Sequence, residues 1–186
     1  MEFRRRRQHY RMKGDDGLAQ GELSRIEIIS QARSLGAEFV GFAPVGRWEE
    51  YGDVPAAFHP HRIWPPAATV IVLGVPIRLP FGDASSTVLG REQFRVTNDL
   101  LDEAAYRLAV WLNGNGHQAI NIPRDSNGEN IADYKPVEVF SHAWAGHYAG
   151  IGRVDRNGTF VAGEGGFQLN LVSILTALPL EGDATD

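Results

Sequence analysis

Cysteine is absent from the 186 residues. No disulfide, zinc–thiolate site, iron–sulfur cluster or cysteine nucleophile can therefore be built from this chain alone. Long apolar runs are missing too. Stretches such as Ala67–Val75 fall well short of the roughly 20 residues that a membrane helix needs. Cations are the minority charge, 18 Lys and Arg against 23 Asp and Glu, for a formal net charge of -5. Phosphate binding runs on clustered cations, so a nucleic-acid surface is not expected. The one basic run, Arg4-Arg-Arg-Arg7, resembles the start of a twin-arginine export signal. Polar residues from Gln8 to Asp16 follow it, where such a signal would carry an apolar segment. Residues 1–21 accordingly read as a solvated, flexible arm, and the cytoplasm is the expected compartment.

What is present is ordinary in proportion. A hydrophobic share of 43% and a charged share of 22% place the chain among globular proteins. Its length suits one domain with a sizeable core, expected over 22–182 with a short tail at 183–186. Leu23, Ile26, Ile28, Ile29, Ala32 and Leu35 recur near helical spacing, and Gly36 stops them. Ala37–Ala43 reads as a strand closed by Pro44. Residues 44–66 hold four prolines with Trp48, Tyr51, Phe58 and Trp64, an irregular aromatic connection of the kind that covers sites. Thr69–Val75 is apolar on both faces and reads as a central strand. A loop follows over 76–90. A helix is predicted from about Gln93 to Asn113, with Val96, Leu100, Leu101, Ala104, Leu108, Trp111 and Leu112 as its stripe. His117–Pro123 reads as a strand, 124–136 as a polar loop, 138–149 as a helix, and 158–162 with 167–175 as the last strands. Together these give an α/β (α+β) sandwich, one central mixed sheet with helices packed on it.

The densest stretch is Phe140–Gly158. His142, Trp144 and His147 sit on the predicted helix, and Gly150, Gly152 and Gly158 follow, with Gly163-Glu-Gly-Gly166 shortly after. Glycines at the end of a helix bring bare backbone N–H groups close to whatever docks there. The same glycines could equally be a helix C-cap turn, and His142 a capping or core histidine. His142 and His147 are five apart, rotated by about 140° on a regular helix, and so do not converge on a metal. His59 and His61 form a loop pair around Pro60. No metal site is expected. Gly150-Ile-Gly152 lacks the preceding strand and third glycine of a dinucleotide fingerprint, and no P-loop, nucleophile elbow or His-Glu-x-x-His occurs. Asp99, Asp102 and Glu103 read as a solvated helix face. Asp133-Tyr134 could supply a proton donor from a loop.

Several segments fall in a familiar order. They are Leu35-Gly-Ala-Glu-Phe-Val-Gly-Phe-Ala43, Pro66-Ala-Ala-Thr-Val-Ile-Val-Leu-Gly74, Ser141-His142, Ala149-Gly-Ile-Gly152, Asn157-Gly158, and Ser173-Ile-Leu-Thr176 with Leu178-Pro-Leu180. Over about residues 23–182 the pattern resembles the N-terminal domain of the epoxyqueuosine reductase-like family. That resemblance implies a cobalamin held between this domain and a following ferredoxin-like domain with two four-iron clusters. It also implies kinship with cobalamin-processing and flavin nitroreductase-like folds, and hence FMN as the alternative cofactor. The implied cofactor-binding residues are His142, Gly150, Gly152, Asn157, Gly158 and Gly166; no catalytic residue is implied.

Departures accompany the match. Members usually read Ala-Gly-Leu-Gly-Trp-Ile-Gly-Lys-Asn, where this chain has Arg153, Asp155 and Arg156. The basic residues that short relatives place before the last strand are Gln168 and Asn170 here. The family's proton-donating Asp-Tyr-His would fall near Val96-Thr-Asn98, without a counterpart. Three readings follow: a cobalamin-binding reductase-like domain, a flavin enzyme, and a degenerate protein-interaction or dimerisation module. For the first, an external electron-transfer protein or a missing ferredoxin-like domain is the implied partner; a homodimer is also open.

Overall fold

The computed structural model describes residues 23–77, 88–122, 140–155, 160–162 and 169–185. The N-terminal arm and the polar loop with Asp133-Tyr134 lie outside them. The first helix, Arg25–Ser34 (α1), starts on a capping box. Ser24 Oγ accepts from Glu27 N while Glu27 Oε2 accepts from Ser24 N at 2.9 Å. It buries Ile28 and Ala32, and Gly36, at φ 102°, turns the chain into Phe39–Pro44 (β1). The proline-rich connection is not wholly irregular. It holds Arg47–Tyr51 (α2), a 3-10 turn at Ala56–Phe58, and Pro60–Ile63 (α3), where Pro60 opens a helix that needs no N–H at that position.

Next come Thr69–Pro76 (β2), the 27-residue helix Val88–Gly114 (α4), Ala119–Ile122 (β3) and His142–Tyr148 (α5). Gly152–Val154 (β4), Phe160–Ala162 (β5) and Leu169–Thr176 (β6) complete the described elements. α4 begins about a turn before the stripe that predicts it, because its first residues, Val88 and Leu89, are solvent-facing and carry no burial signal. Asn113 closes α4 by clamping the next strand: its Nδ2 donates to Ala119 O at 2.8 Å and its Oδ1 accepts from Ala119 N at 3.2 Å.

The main sheet has the order β1-β2-β6-β3. It is a sheet with helices packed on it, as the α/β sandwich requires, but every described pairing is antiparallel rather than mixed. The physical reason is the return of β6 between β2 and β3, antiparallel to both. A separate two-stranded ribbon, β4 with β5, adds a pairing that single-sequence patterning does not expect. β2 and β6 are buried along nearly their whole length, as central strands covered on both faces should be.

One face of the sheet (Phe42, Ile71, Leu73, Val172, Ile174) packs against α1 and α4 through Ile28, Ala32, Leu101, Ala105, Leu108 and Leu112. The other (Val70, Val72, Leu171, Leu175) packs under α5, the ribbon and α2 through Trp48, Phe140, Ala145, Tyr148 and Phe160. Among the described residues, no helix is long and apolar enough to cross a membrane.

Candidate functional site

The stretch that is densest in sequence forms a short helix pressed hard onto the sheet. Ser141 caps α5 by accepting from Trp144 N. Close approach depends on Gly146, where a Cβ would lie 2.6 Å from Leu171 Cδ1 and 2.9 Å from Phe160 Cε2. β1 makes room from below at Gly41, where a Cβ would stand 2.6 Å from Ala149 O.

α5 ends in a Schellman turn. Gly150 N donates to His147 O and Ile151 N donates to Gly146 O, both at 3.0 Å, with Gly150 at φ 67°. The side of Gly150 where a side chain would project is filled by Ala184 O, and at Gly152 the same space is filled by Val161 O of β5. Both glycines are thus required by the chain's own packing. His142 and His147 make separate hydrogen bonds. His142 Nδ1 lies 2.9 Å from Ser173 Oγ in the middle of β6, with Phe140 edge-on at 5.5 Å. His147 Nδ1 donates to Gly152 O at 3.1 Å, the carbonyl being able only to accept. Among the described residues no group of three or more His, Asp or Glu could hold a metal. Asn157, Gly158 and Gly166 lie outside the described residues, as do Arg156 and Gln168.

Behind α5 sits an aromatic cluster drawn from the 44–66 connection. Tyr148 stacks edge-on against Trp48 at 4.8 Å and lies 5.2 Å from Tyr51 and 5.8 Å from Trp144. Its hydroxyl donates to Asp53 Oδ2 at 3.3 Å. Burial first, then the Asp53 carboxylate, pushes the Tyr148 phenol up to about 12. The C-terminal segment locks this assembly to β1. Asp183 N donates to Phe42 O at 3.0 Å, and Asp183 Oδ2 accepts from Phe42 N at 2.9 Å. Arg25 pairs with the same carboxylate. Arg47 donates to Tyr148 O and, at 2.7 Å, to Asp183 O. Sequence patterning misses Arg47 and Asp183, because a lone cation in a loop and an acid near the end of the chain carry no periodic signal.

Two of the buried polar side chains lie toward the end of the sheet where β2 finishes and β6 begins. Asn170, one step into β6 and opposite Val75, is 3% exposed, and its Nδ2 has no hydrogen-bond partner. Asn98 Oδ1 on α4 is also buried without a partner. This part of α4 stands at the same end, because Leu100 packs against Gly36, just before β1 enters opposite Gly74. Isolated buried donors and acceptors cost about 1–3 kcal/mol each, which makes Asn98 and Asn170 candidates for contact with a group from outside the described residues.

No protein-family model and no curated protein sequence matches this chain. Solved structures do. An epoxyqueuosine reductase from Bacillus subtilis is 18% identical and aligns over 87% of this chain and 47% of its own, with a TM-score of 0.55. A catabolic reductive dehalogenase is 20% identical over 92% of this chain and 22% of its own, with a TM-score of 0.61. Another reductive dehalogenase, whose structure suggests a mechanism for B12-dependent dehalogenation, is 20% identical over 86% of this chain and 20% of its own, with a TM-score of 0.58. The chain therefore spans about half of the one kind of enzyme and about a fifth of the other. At these identities the likeness is one of fold: this chain has the α/β fold found in epoxyqueuosine reductases and in reductive dehalogenases.

Proposed function

We propose that this chain is a cobalamin-binding, reductase-like domain that works with electrons from an external donor. The observation that carries the proposal is the shared fold, because one architecture recurs in epoxyqueuosine reductases and in a dehalogenase described as B12-dependent. The absence of cysteine means that this chain alone supplies no iron–sulfur cluster, which is why the donor is placed outside it.

The residues present fit such a group in kind. The rim of a corrin carries primary amides, each offering a donor and an acceptor. Asn170 Nδ2 and Asn98 Oδ1 are a buried donor and acceptor still lacking those partners. Asn98 and Asn170, on the face of the sheet that carries α4, are proposed to hold the cofactor, while His142, on the α5 face, belongs with Asn157, Gly158 and Gly166 to the set taken from the sequence. Gly150 and Gly152 are proposed to shape the turn beside the cofactor, their side-chain spaces being filled and Gly150 N and Gly152 O already bonded to His147. Bound cobalamin would supply the redox chemistry, while the protein positions and insulates it. Titration with hydroxocobalamin, followed by the visible spectrum and by co-elution on gel filtration, tests the proposal. Binding at micromolar concentration supports it, and no binding there overturns it.

A degenerate, non-catalytic module is the second reading. It is favoured by the exposed Arg153 beside Gly152, a departure from the aromatic side chain that the family resemblance leads one to expect there. The similar structures lend the flavin reading no support.

A further inference from the structure

Six of the eight large apolar side chains exposed among the described residues lie on α4: Val88, Leu89, Val96, Leu100, Tyr106 and Val110, each 40% to 71% exposed. They are not scattered around the helix. At about 100° per residue they fall within roughly a third of the circumference, on the side away from the sheet that Leu101, Ala105, Leu108 and Leu112 face. Leu89, Val96, Glu103 and Val110 stand at seven-residue steps, Glu103 being the third of the series. Seven-residue spacing keeps a seam on one side of a helix pair, and single exposed apolar residues need no such order.

We infer that this outer face of α4 is a dimerisation surface and that its occupant is the same face of a second copy of this chain. The charges on the stripe select that occupant. Glu92, Arg95 and Asp99 form one ion-paired group and Glu103 with Arg107 another, with contacts of 2.6 Å. A strongly acidic or strongly basic partner would meet like charge along much of the face. A second copy presents both signs, and a two-fold axis brings the same patch to both sides.

The stripe runs from Leu89 to Val110, about 32 Å at 1.5 Å per residue. A single helix face of that length buries less than the roughly 800 Å² per partner of a standard stable interface. The dimer is therefore weak, with a dissociation constant at or above the micromolar range. Glu103 in the seam weakens it further, as a polar residue at a seam position does.

Sedimentation equilibrium on the full chain, from about 5 to 500 μM, tests the inference. The average mass should rise from the monomer's 20.5 kDa toward the dimer's as concentration increases. Val96→Glu with Val110→Glu should weaken association at least about tenfold, since each places a charge in the seam. Glu103→Leu should tighten it at least about tenfold by removing one. All three positions are exposed, so unchanged circular dichroism is expected for both variants. A chain that stays monomeric throughout overturns the inference. So does association that the double variant leaves intact, or that Glu103→Leu weakens.

Discussion

Replacing Gly150 by alanine separates two roles that one residue combines. Its φ of 67° is left-handed, and forcing an L-residue there costs about 1 kcal/mol. Gly52, at φ 69° with open space where a Cβ would stand, isolates that backbone cost, so Gly52→Ala should destabilise by about 1 kcal/mol. At Gly150 a methyl group would also overlap Ala184 O and expel the C-terminal segment. That segment is held by the backbone bond from Asp183 N to Phe42 O, the bond from Phe42 N to the Asp183 carboxylate, the Arg47 bond to Asp183 O and the Arg25 ion pair. At about 0.5–1.5 kcal/mol per net hydrogen bond, discounted for partial exposure, its loss adds roughly 2 kcal/mol. Gly150→Ala should therefore cost about 3 kcal/mol in urea denaturation. In a chain ending at Glu181 the same substitution should cost only about 1 kcal/mol, since nothing is left to expel. Equal costs for Gly150→Ala and Gly52→Ala, or a Gly150→Ala cost unchanged by the truncation, would refute the reasoning.

Asn170→Leu removes an unsatisfied buried donor, so stability without ligand should hold or rise by about 1 kcal/mol. Cobalamin affinity should fall about tenfold in the same variant, read by spectral titration. Leu108→Ala empties a fully buried position between α4 and the sheet and should cost about 2–5 kcal/mol in chemical denaturation. Tyr148 keeps its proton in the folded state at pH values where an unfolded tyrosine has lost it. Its contribution is whole below pH of about 10 and is lost as pH rises toward about 12. Ultraviolet titration should show one of the five tyrosines ionising last, and Tyr148→Phe should remove that late step and flatten the alkaline fall in stability.

The elements were largely legible because burial leaves periodic marks. Thr69–Val75 had to be a covered strand, and the stripe from Leu101 to Leu112 had to lie on a sheet. The antiparallel order was not legible, since pairing depends on where β6 returns and no local pattern encodes that. The packing around α5 was less legible than the elements themselves. His142 opens α5 while Gly150 and Gly152 follow its other end, and their contacts, with Ser173, Ala184 and Val161, come from far along the chain or across the ribbon.

The sequence by itself determined the absences. Without cysteine there is no cluster or disulfide from this chain, and without a long apolar run there is no spanning helix among the described residues. It also determined the helices and strands whose burial repeats at a fixed step. Only the tertiary structure decided why Gly150 and Gly152 are glycines, and that Asn170 and Asn98 keep open hydrogen bonds at one end of the sheet. Such facts belong to pairs of residues brought together by folding, and one-dimensional spacing does not record who meets whom.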